Sequence, residues 1–256
     1  MTTATSSRAV RIRVDRCVAC KSCELACAKA HAGFEDIAEA LLSDAHLIPR
    51  VHVIDVEDHN VPVQCRHCEN APCVEACPTG ALYKAEDGRV LTDREKCISC
   101  KACVRVCPYE AVSWDEEADV AVKCDVCEGL IAGGDDPYCV RACPTSALVT
   151  VTVEEAHAGE ESEQYDALLR DESRTETAGP GVKFDIDSKE CICCGRCAKN
   201  CPVDCIDGKR GKPPARAKPE DEEKGKVGEP FVIDQEECIH CGTCHEICPV
   251  GAVKRS

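Results

Sequence analysis

Apolar and polar residues change places in short bursts along this chain, with no long amphipathic period. RAVRIRV (8–14), RVLTD (89–93), VKFDID (182–187) and FVID (231–234) carry the β-branched or alternating pattern of a strand. Each stands just ahead of a loop dense in cysteine. A short helical stretch and a second strand-like run follow each loop. RVHVIDV (50–56) reads as one more strand, and FEDIAEALLSDA (34–45) as a helix. The fold class expected is α+β, built from tandem, loop-rich βαβ modules. Four modules fall in residues 10–153 and two in residues 182–254. The domains expected are 1–153, a polar and acidic linker over 154–181 with one helical turn at YDALLRD (165–171), and 182–256. A second charged insertion, 208–230, separates the last two modules and reads as a solvated loop.

Composition explains why such short elements could hold together. The chain has 256 residues and 26 cysteines, but only three Phe, one Trp and four Tyr. A core of ordinary hydrophobes would be thin, so another device must supply stability. The net charge of −16 argues against a nucleic-acid or anionic-membrane surface. No apolar run approaches a membrane span, and MTTATSSRAVRIRV shows no signal-peptide core or twin arginine. The expected compartment is therefore a reducing cytoplasm, where many cysteines imply metal rather than disulfides.

The cysteines form six groups of four with two left over. Cys17, Cys20, Cys23 and Cys27 are spaced C-x2-C-x2-C-x3-C. Cys97, Cys100, Cys103 and Cys107 repeat that spacing, as do Cys191, Cys194, Cys197 and Cys201, and Cys238, Cys241, Cys244 and Cys248. Cys65, Cys68, Cys73 and Cys77 have a wider middle gap. Cys124, Cys127, Cys139 and Cys143 have a long one. Proline follows the last cysteine in five groups, while Ala28 takes its place in the first.

This run suits a [4Fe–4S] cube. Three thiolates on one tight loop face three irons, and the fourth, a helical turn on, points to the other cluster of a pair. Zinc favours two CxxC pairs with a longer stretch between them, and a disulfide scaffold needs an oxidising compartment, so both readings are weaker. Cys193 and Cys205 read as packed spectator thiols. The alternative for Cys193 is that it replaces Cys194 as a ligand, which the C-x2-C spacing opposes. His31, His46, His52, His59 and His67 are expected near clusters rather than on them. Lys21, Arg66, Lys101, Arg196 and His240 lie beside ligand cysteines, where they either tune potentials or are ordinary surface charges. Tyr83, Tyr109 and Trp114 are expected to pack.

At RCVACKSCELACAKAH, VPVQCRHCENAPCVEACPTGAL, KCISCKACVRVCPY and KCDVCEGLIAGGDDPYCVRACPTSAL, residues 10–153 resemble the four-cluster iron–sulfur subunits of the formate dehydrogenase, DMSO reductase and hydrogenase-4 or CO-dehydrogenase-associated ferredoxin families. The uneven second gap, the long fourth gap and the missing first proline are part of that resemblance. It implies that the first group pairs with the fourth and the second with the third. One cluster would then take Cys17, Cys20, Cys23 and Cys143, and its mate Cys124, Cys127, Cys139 and Cys27. A third would take Cys65, Cys68, Cys73 and Cys107, and a fourth Cys97, Cys100, Cys103 and Cys77. Residues 182–254 resemble a bacterial two-cluster ferredoxin of the kind that ends flavin subunits of NADH-dehydrogenase-like and bifurcating enzymes. That implies one cluster on Cys191, Cys194, Cys197 and Cys248, and another on Cys238, Cys241, Cys244 and Cys201. The plain four-cluster family lacks this tail.

Six clusters ligated wholly by thiolate leave no open iron for a substrate. No radical-SAM, dinucleotide or P-loop motif stands in the sequence. The expected function is one-electron transfer without a catalytic site. The expected partners are a catalytic oxidoreductase subunit (a molybdenum or tungsten enzyme, a hydrogenase or CO dehydrogenase) and a flavin, NAD(P)-reducing subunit or ferredoxin. A free-standing polyferredoxin is the alternative, and a zinc-binding interaction module a more distant one.

Overall fold

The computed structural model describes residues 8–130, 135–172, 174, 178–179, 181–218, 221 and 225–256. Its strands pair in twos, all antiparallel. β1 (Ala9–Ile12) lies before the first cysteine group and β8 (Leu148–Val151) after the fourth. They pair with Ala9 opposite Val151 and Ile12 opposite Leu148, which brings the two groups together. Within that closure lie the hairpin β2 (Val51–Val56) and β3 (His59–Gln64), then β4 (Leu82–Lys84) with β5 (Val90–Thr92), and β6 (Ser113–Asp115) with β7 (Val120–Val122). The β4–β5 ladder links the end of the second group to the start of the third. In the tail, β9 (Phe184–Ile186) pairs with β12 (Val253–Arg255), and β10 (Ile206–Lys209) with β11 (Glu229–Ile233). The fifth and sixth groups are thus closed in the same way as the first and fourth.

Among the described residues the helices are short, and those at the cysteine groups other than the first span little more than the gap between two cysteines. They are α1 (Ser22–His31), α2 (Ile37–Leu42), α3 (Pro72–Glu75), α4 (Ala102–Arg105), α5 (Tyr138–Ala142), α6 (Val153–Ala156), α7 (Glu160–Leu169), α8 (Arg196–Lys199) and α9 (Thr243–Glu246). In α1 the helix runs on through Cys27 for ten residues. A proline at position 28 would remove an interior N–H and clash with the preceding turn, so Ala28 fits where the other groups have proline.

The segment that reads as a linker behaves differently from its composition. A capping box starts α6: the Thr152 hydroxyl accepts from the Glu155 N–H and the Glu155 carboxylate accepts from the Thr152 N–H. α7 follows and buries Tyr165 completely in the core of the four-group unit. One of the acidic residues that suggest a solvated linker meets basic partners on β1 and the residue after it. Glu161 lies 2.8 Å from Arg13 and 3.6 Å from Arg11. The Tyr109 hydroxyl donates to Asp166 at 3.0 Å. Residues 173, 175–177 and 180 of this segment, and 219–220 and 222–224 of the second insertion, lie outside the described residues.

Two apolar cores result. The larger gathers Val10, Ile12, Val51, Val61, Leu82, Leu148 and Tyr165 with many of the cysteines. The smaller, in the tail, is built on Phe184, Ile206, Phe231, Ile233 and Val253. Cys241 and Ile239 of the tail pack into the larger core.

Candidate iron–sulfur centres

Four of the loops share one backbone pattern. Ala19 and Lys21, Ser99 and Lys101, Cys193 and Gly195, and His240 and Gly242 all have positive φ, between 53° and 79°. The two left-handed residues coil each C-x2-C run so that its cysteines share one side. Non-glycine residues there cost roughly 1–3 kcal/mol each, so the surroundings must impose them. Cys193 holds the same place as Ala19, Ser99 and His240, which marks it as a turn residue within its loop. Its Cβ lies against Gly228, where an added methyl group would meet it at 2.7 Å.

A second pattern follows each Cys-Pro. Gly80, Glu110, Ser146, Asp204 and Gly251 take positive φ and fold the backbone over the sulfur. The amides of Leu82, Ala111, Ala147 and Ala252 donate to Cys77, Cys107, Cys143 and Cys248 at 3.4, 3.3, 3.2 and 3.2 Å. In the first group the Arg50 amide serves Cys27 at 3.2 Å. In the fifth, Cys205 stands where the others have alanine, and its sulfur lies 3.5 Å from that of Cys201.

The thiols meet in sets that cross between groups. Burial raises Cys17, and Cys143 and Cys20 beside it add to the rise. Cys23, raised by burial to about 11, has Cys17 and Cys143 as neighbours. Cys27, raised by burial to about 12, lies by Cys127, and the buried Cys139 lies by Cys124, Cys27 and Cys127. Cys68, raised by burial to about 12, has Cys65 and Cys107 beside it, as does Cys73. Cys103, again raised by burial to about 12, faces Cys100, Cys77 and Cys97. In the tail, Cys191, Cys194, Cys197 and Cys248 line one small cavity, and Cys201, Cys238, Cys241 and Cys244 line another with Cys205.

The chemistry of these sets fits a cluster. Four buried sulfurs that raise one another's proton affinity can be thiolates together only around a cationic core. Backbone N–H groups aimed at sulfur favour the charged ligand. At Cys143 and Cys248 burial still pushes upward, yet the surrounding amides outweigh it and both thiols fall below their ordinary value.

Cys65 is the outlier. Burial works against ionisation there, but His67 and Lys123 overcome it and bring the thiol down to about 6. Lys123 is 4% exposed, and its ammonium donates to the carbonyls of Val90 and Cys124. His67 is buried, and its Nδ1 lies 3.0 Å from the Val90 amide nitrogen and 3.9 Å from the Cys65 sulfur. Lys123 is a buried charge beside these thiols that sequence reasoning missed. The one available signal, a lysine directly before a group's first cysteine, is shared by Lys96, whose side chain is 60% exposed.

The charges singled out in the sequence have varied fates. Arg66 is buried under α7, donating to Ala156 O and Ser162 Oγ at 2.7 Å, with its guanidinium 4.7 Å from the Tyr165 ring centre. Lys101 covers the Trp114 ring at 4.7 Å. Lys21 and Arg196 are exposed. The His240 carbonyl accepts from the Gly179 amide. His31 is pushed to about 4 by burial, with Arg50 adding to the shift, and lies 3.6 Å from Asp125. His52 bonds Ser113, His46 lies near Asp115, and His59 is half-buried. Tyr109 is buried, Trp114 half-buried and Tyr83 exposed. Among the described residues no helix is long and apolar enough to cross a membrane.

Residues 56–153 match the 4Fe-4S dicluster domain, residues 190–252 match a 4Fe-4S dicluster domain again, and residues 14–30 match a 4Fe-4S binding domain. An iron–sulfur protein of Rhodospirillum rubrum is 44% identical over 152 residues, covering 55% of this chain and 80% of that protein. This protein belongs to the 4Fe-4S dicluster iron–sulfur proteins. The B subunit of anaerobic dimethyl sulfoxide reductase from Escherichia coli K12 is 38% identical to this iron–sulfur protein over 138 residues, covering 52% of the present sequence and 67% of that relative. A solved active-site complex of benzoyl coenzyme A reductase aligns at 22% identity and a TM-score of 0.31, over 61% of this chain and 85% of that one. This iron–sulfur protein is an electron-transfer chain, homologous to a subunit of an oxidoreductase.

Proposed function

We infer that the chain is an electron wire of six [4Fe–4S] clusters with no catalytic site of its own, divided as 1–153, 154–181 and 182–256. The ligands are the sets named from the sequence: Cys17, Cys20, Cys23 with Cys143; Cys124, Cys127, Cys139 with Cys27; Cys65, Cys68, Cys73 with Cys107; Cys97, Cys100, Cys103 with Cys77; Cys191, Cys194, Cys197 with Cys248; and Cys238, Cys241, Cys244 with Cys201.

One observation carries this reading. Cysteines four positions apart at a motif helix have different thiols as neighbours, which supports assigning them to different sets tied together by the helix. Cys23 and Cys27 do so on α1, and Cys103 and Cys107 at α4. Between pairs, Cys124 has Cys65 as a neighbour. A [4Fe–4S] core accepts and gives up one electron at a time. The protein's own part is to hold thiolates, exclude water from the inner sets and place charges such as Lys123 beside them.

The chain then serves a catalytic redox subunit in the cytoplasm, of the molybdenum, tungsten, hydrogenase or CO dehydrogenase kind, and a flavin, NAD(P)-linked or ferredoxin partner. Iron and sulfide analysis of anaerobically purified protein tests the cofactor. The expected result is roughly 24 iron atoms per chain, four for each cube. Zinc without a brown chromophore would overturn it. Purification from native cells tests the partner: a stable complex with a catalytic subunit is expected, and a chain that always elutes alone would instead be a free polyferredoxin.

A further inference from the structure

The four-group unit and the tail meet at the third and sixth cysteine groups, and one side chain lies across the joint. Arg105 on α4 leaves only 9% of its side chain exposed. Its Nη1 donates to the carbonyls of Cys100 and Cys241, both at 2.9 Å, and its Nη2 to Thr243 Oγ1 at 2.9 Å. Its Nε lies 2.6 Å from Glu246. The Thr243 hydroxyl donates to the Cys100 carbonyl at 3.2 Å and lies 3.3 Å from the Cys241 sulfur. One planar fork therefore ties together the backbones of two cysteines from different sets.

The repeat makes this placement specific. Arg105 and Glu246 hold the same position in their groups, two residues before the last cysteine. The other groups have Leu25, Glu75, Arg141 and Lys199 there. Opposite charges at equivalent positions of the third and sixth groups let those groups dock on each other. Cys241 and Ile239 add apolar contact by packing into the core of the four-group unit.

We propose that Arg105 is the positioning residue of an internal junction, which fixes the Cys77, Cys97, Cys100, Cys103 set against the Cys201, Cys238, Cys241, Cys244 set and so makes the six sites one unbranched path. This rests on the six-cluster reading. The path runs from the set of the exposed Cys20, through those of Cys124, Cys65 and Cys100, across the junction to that of Cys241, and ends at that of Cys194. With cubes held by these two sets, the junction would pass one electron from one to the other, with no covalent bond formed or broken and no proton moved. A guanidinium suits the place because its geometry is rigid and its charge is permanent. It also offsets the negative charge of the thiolates on either side.

The test compares wild type with Arg105→Met, Arg105→Lys and Thr243→Val. Each is assayed for iron, for spin–spin broadening in the electron paramagnetic resonance spectrum of the fully reduced protein, and for electron equilibration after flash photoreduction by a deazaflavin. Arg105→Met should keep its iron, lose part of the broadening and slow one equilibration phase at least about tenfold, the scale expected when reacting partners lose their alignment. Arg105→Lys should recover part of both signals, and Thr243→Val should give a smaller loss of the same kind. Wild-type broadening and rates in Arg105→Met and Thr243→Val would overturn the junction. So would loss of iron in both, since the pair would then be holding clusters rather than aligning them. A wild-type protein with far fewer than six cubes would instead show that the cofactor reading itself had failed.

Discussion

The four-group unit and the tail are built from one repeat yet solve different problems. In the four-group unit the two middle sets are the more enclosed. Cys73, Cys124, Cys127 and Cys139 are buried, Lys123 sits among them, and α6 and α7 lie against the unit with Tyr165 in its core. The tail has no such cover among the described residues. Its core is small, and buried spare thiols, Cys193 and Cys205, help to fill it. The repeat fixes where sulfur goes, whereas the segments outside the repeat decide how wet each set is and which charges stand near it.

Removing iron should have the largest effect on this contrast. Burial and mutual repulsion already raise most of the thiols, and folding and metal binding are coupled in cores of this kind. Anaerobic chelation should abolish the native circular dichroism of both units. A compact tail surviving without iron would show that its small apolar core suffices alone.

Tyr165→Ala should come next. Truncating a fully buried aromatic costs about 3–5 kcal/mol, and here it also strips the ring from beneath Arg66. The denaturant midpoint of the four-group unit should fall while the tail's clusters keep their visible absorption. An equal loss in both units would mean that they unfold as one.

Lys123→Met should lower the potential of the set on Cys65, Cys68, Cys73 and Cys107 by several tens of millivolts, where roughly 60 mV is a tenfold change for one electron. The direction follows from charge: a nearby cation favours the reduced, more negative centre. Potentiometric titration reads it, and an unchanged or raised potential would remove Lys123 from the account. Lys96→Met, on the exposed counterpart, should move no potential measurably.

The smallest effects belong to the spare thiols. Cys193→Ser should leave the cluster count unchanged, as a turn residue would. Cys205→Ala restores the alanine of the other groups and should alter stability by less than about 1.5 kcal/mol. Loss of a cube in either variant, read as iron, would make that cysteine a ligand.

Much of this is legible in the chain. Cysteine spacing announces the loops, and alternation before the first, third, fifth and sixth groups announces β1, β5, β9 and β11. The helix around Ile37–Leu42 and the strand Val51–Val56 also stand where the pattern puts them. Residues 153–169 mislead because Tyr165 is buried in the core and Glu161 pairs with Arg11 and Arg13, far away along the sequence, and composition carries no record of distant partners. Arg105 and Arg141 sit at equivalent positions, as do Lys96 and Lys123, yet only one of each pair is enclosed. Burial of a charge is decided by what packs over it, and that is a property of the assembled molecule.

The closure of β1 on β8 also dictates an order of birth. Ile12 has no partner until Leu148 has been made, whereas β4 and β5 can join as soon as residue 92 has left the ribosome. The inner sulfurs can therefore be loaded while synthesis continues. The first four must wait until Leu148 has emerged.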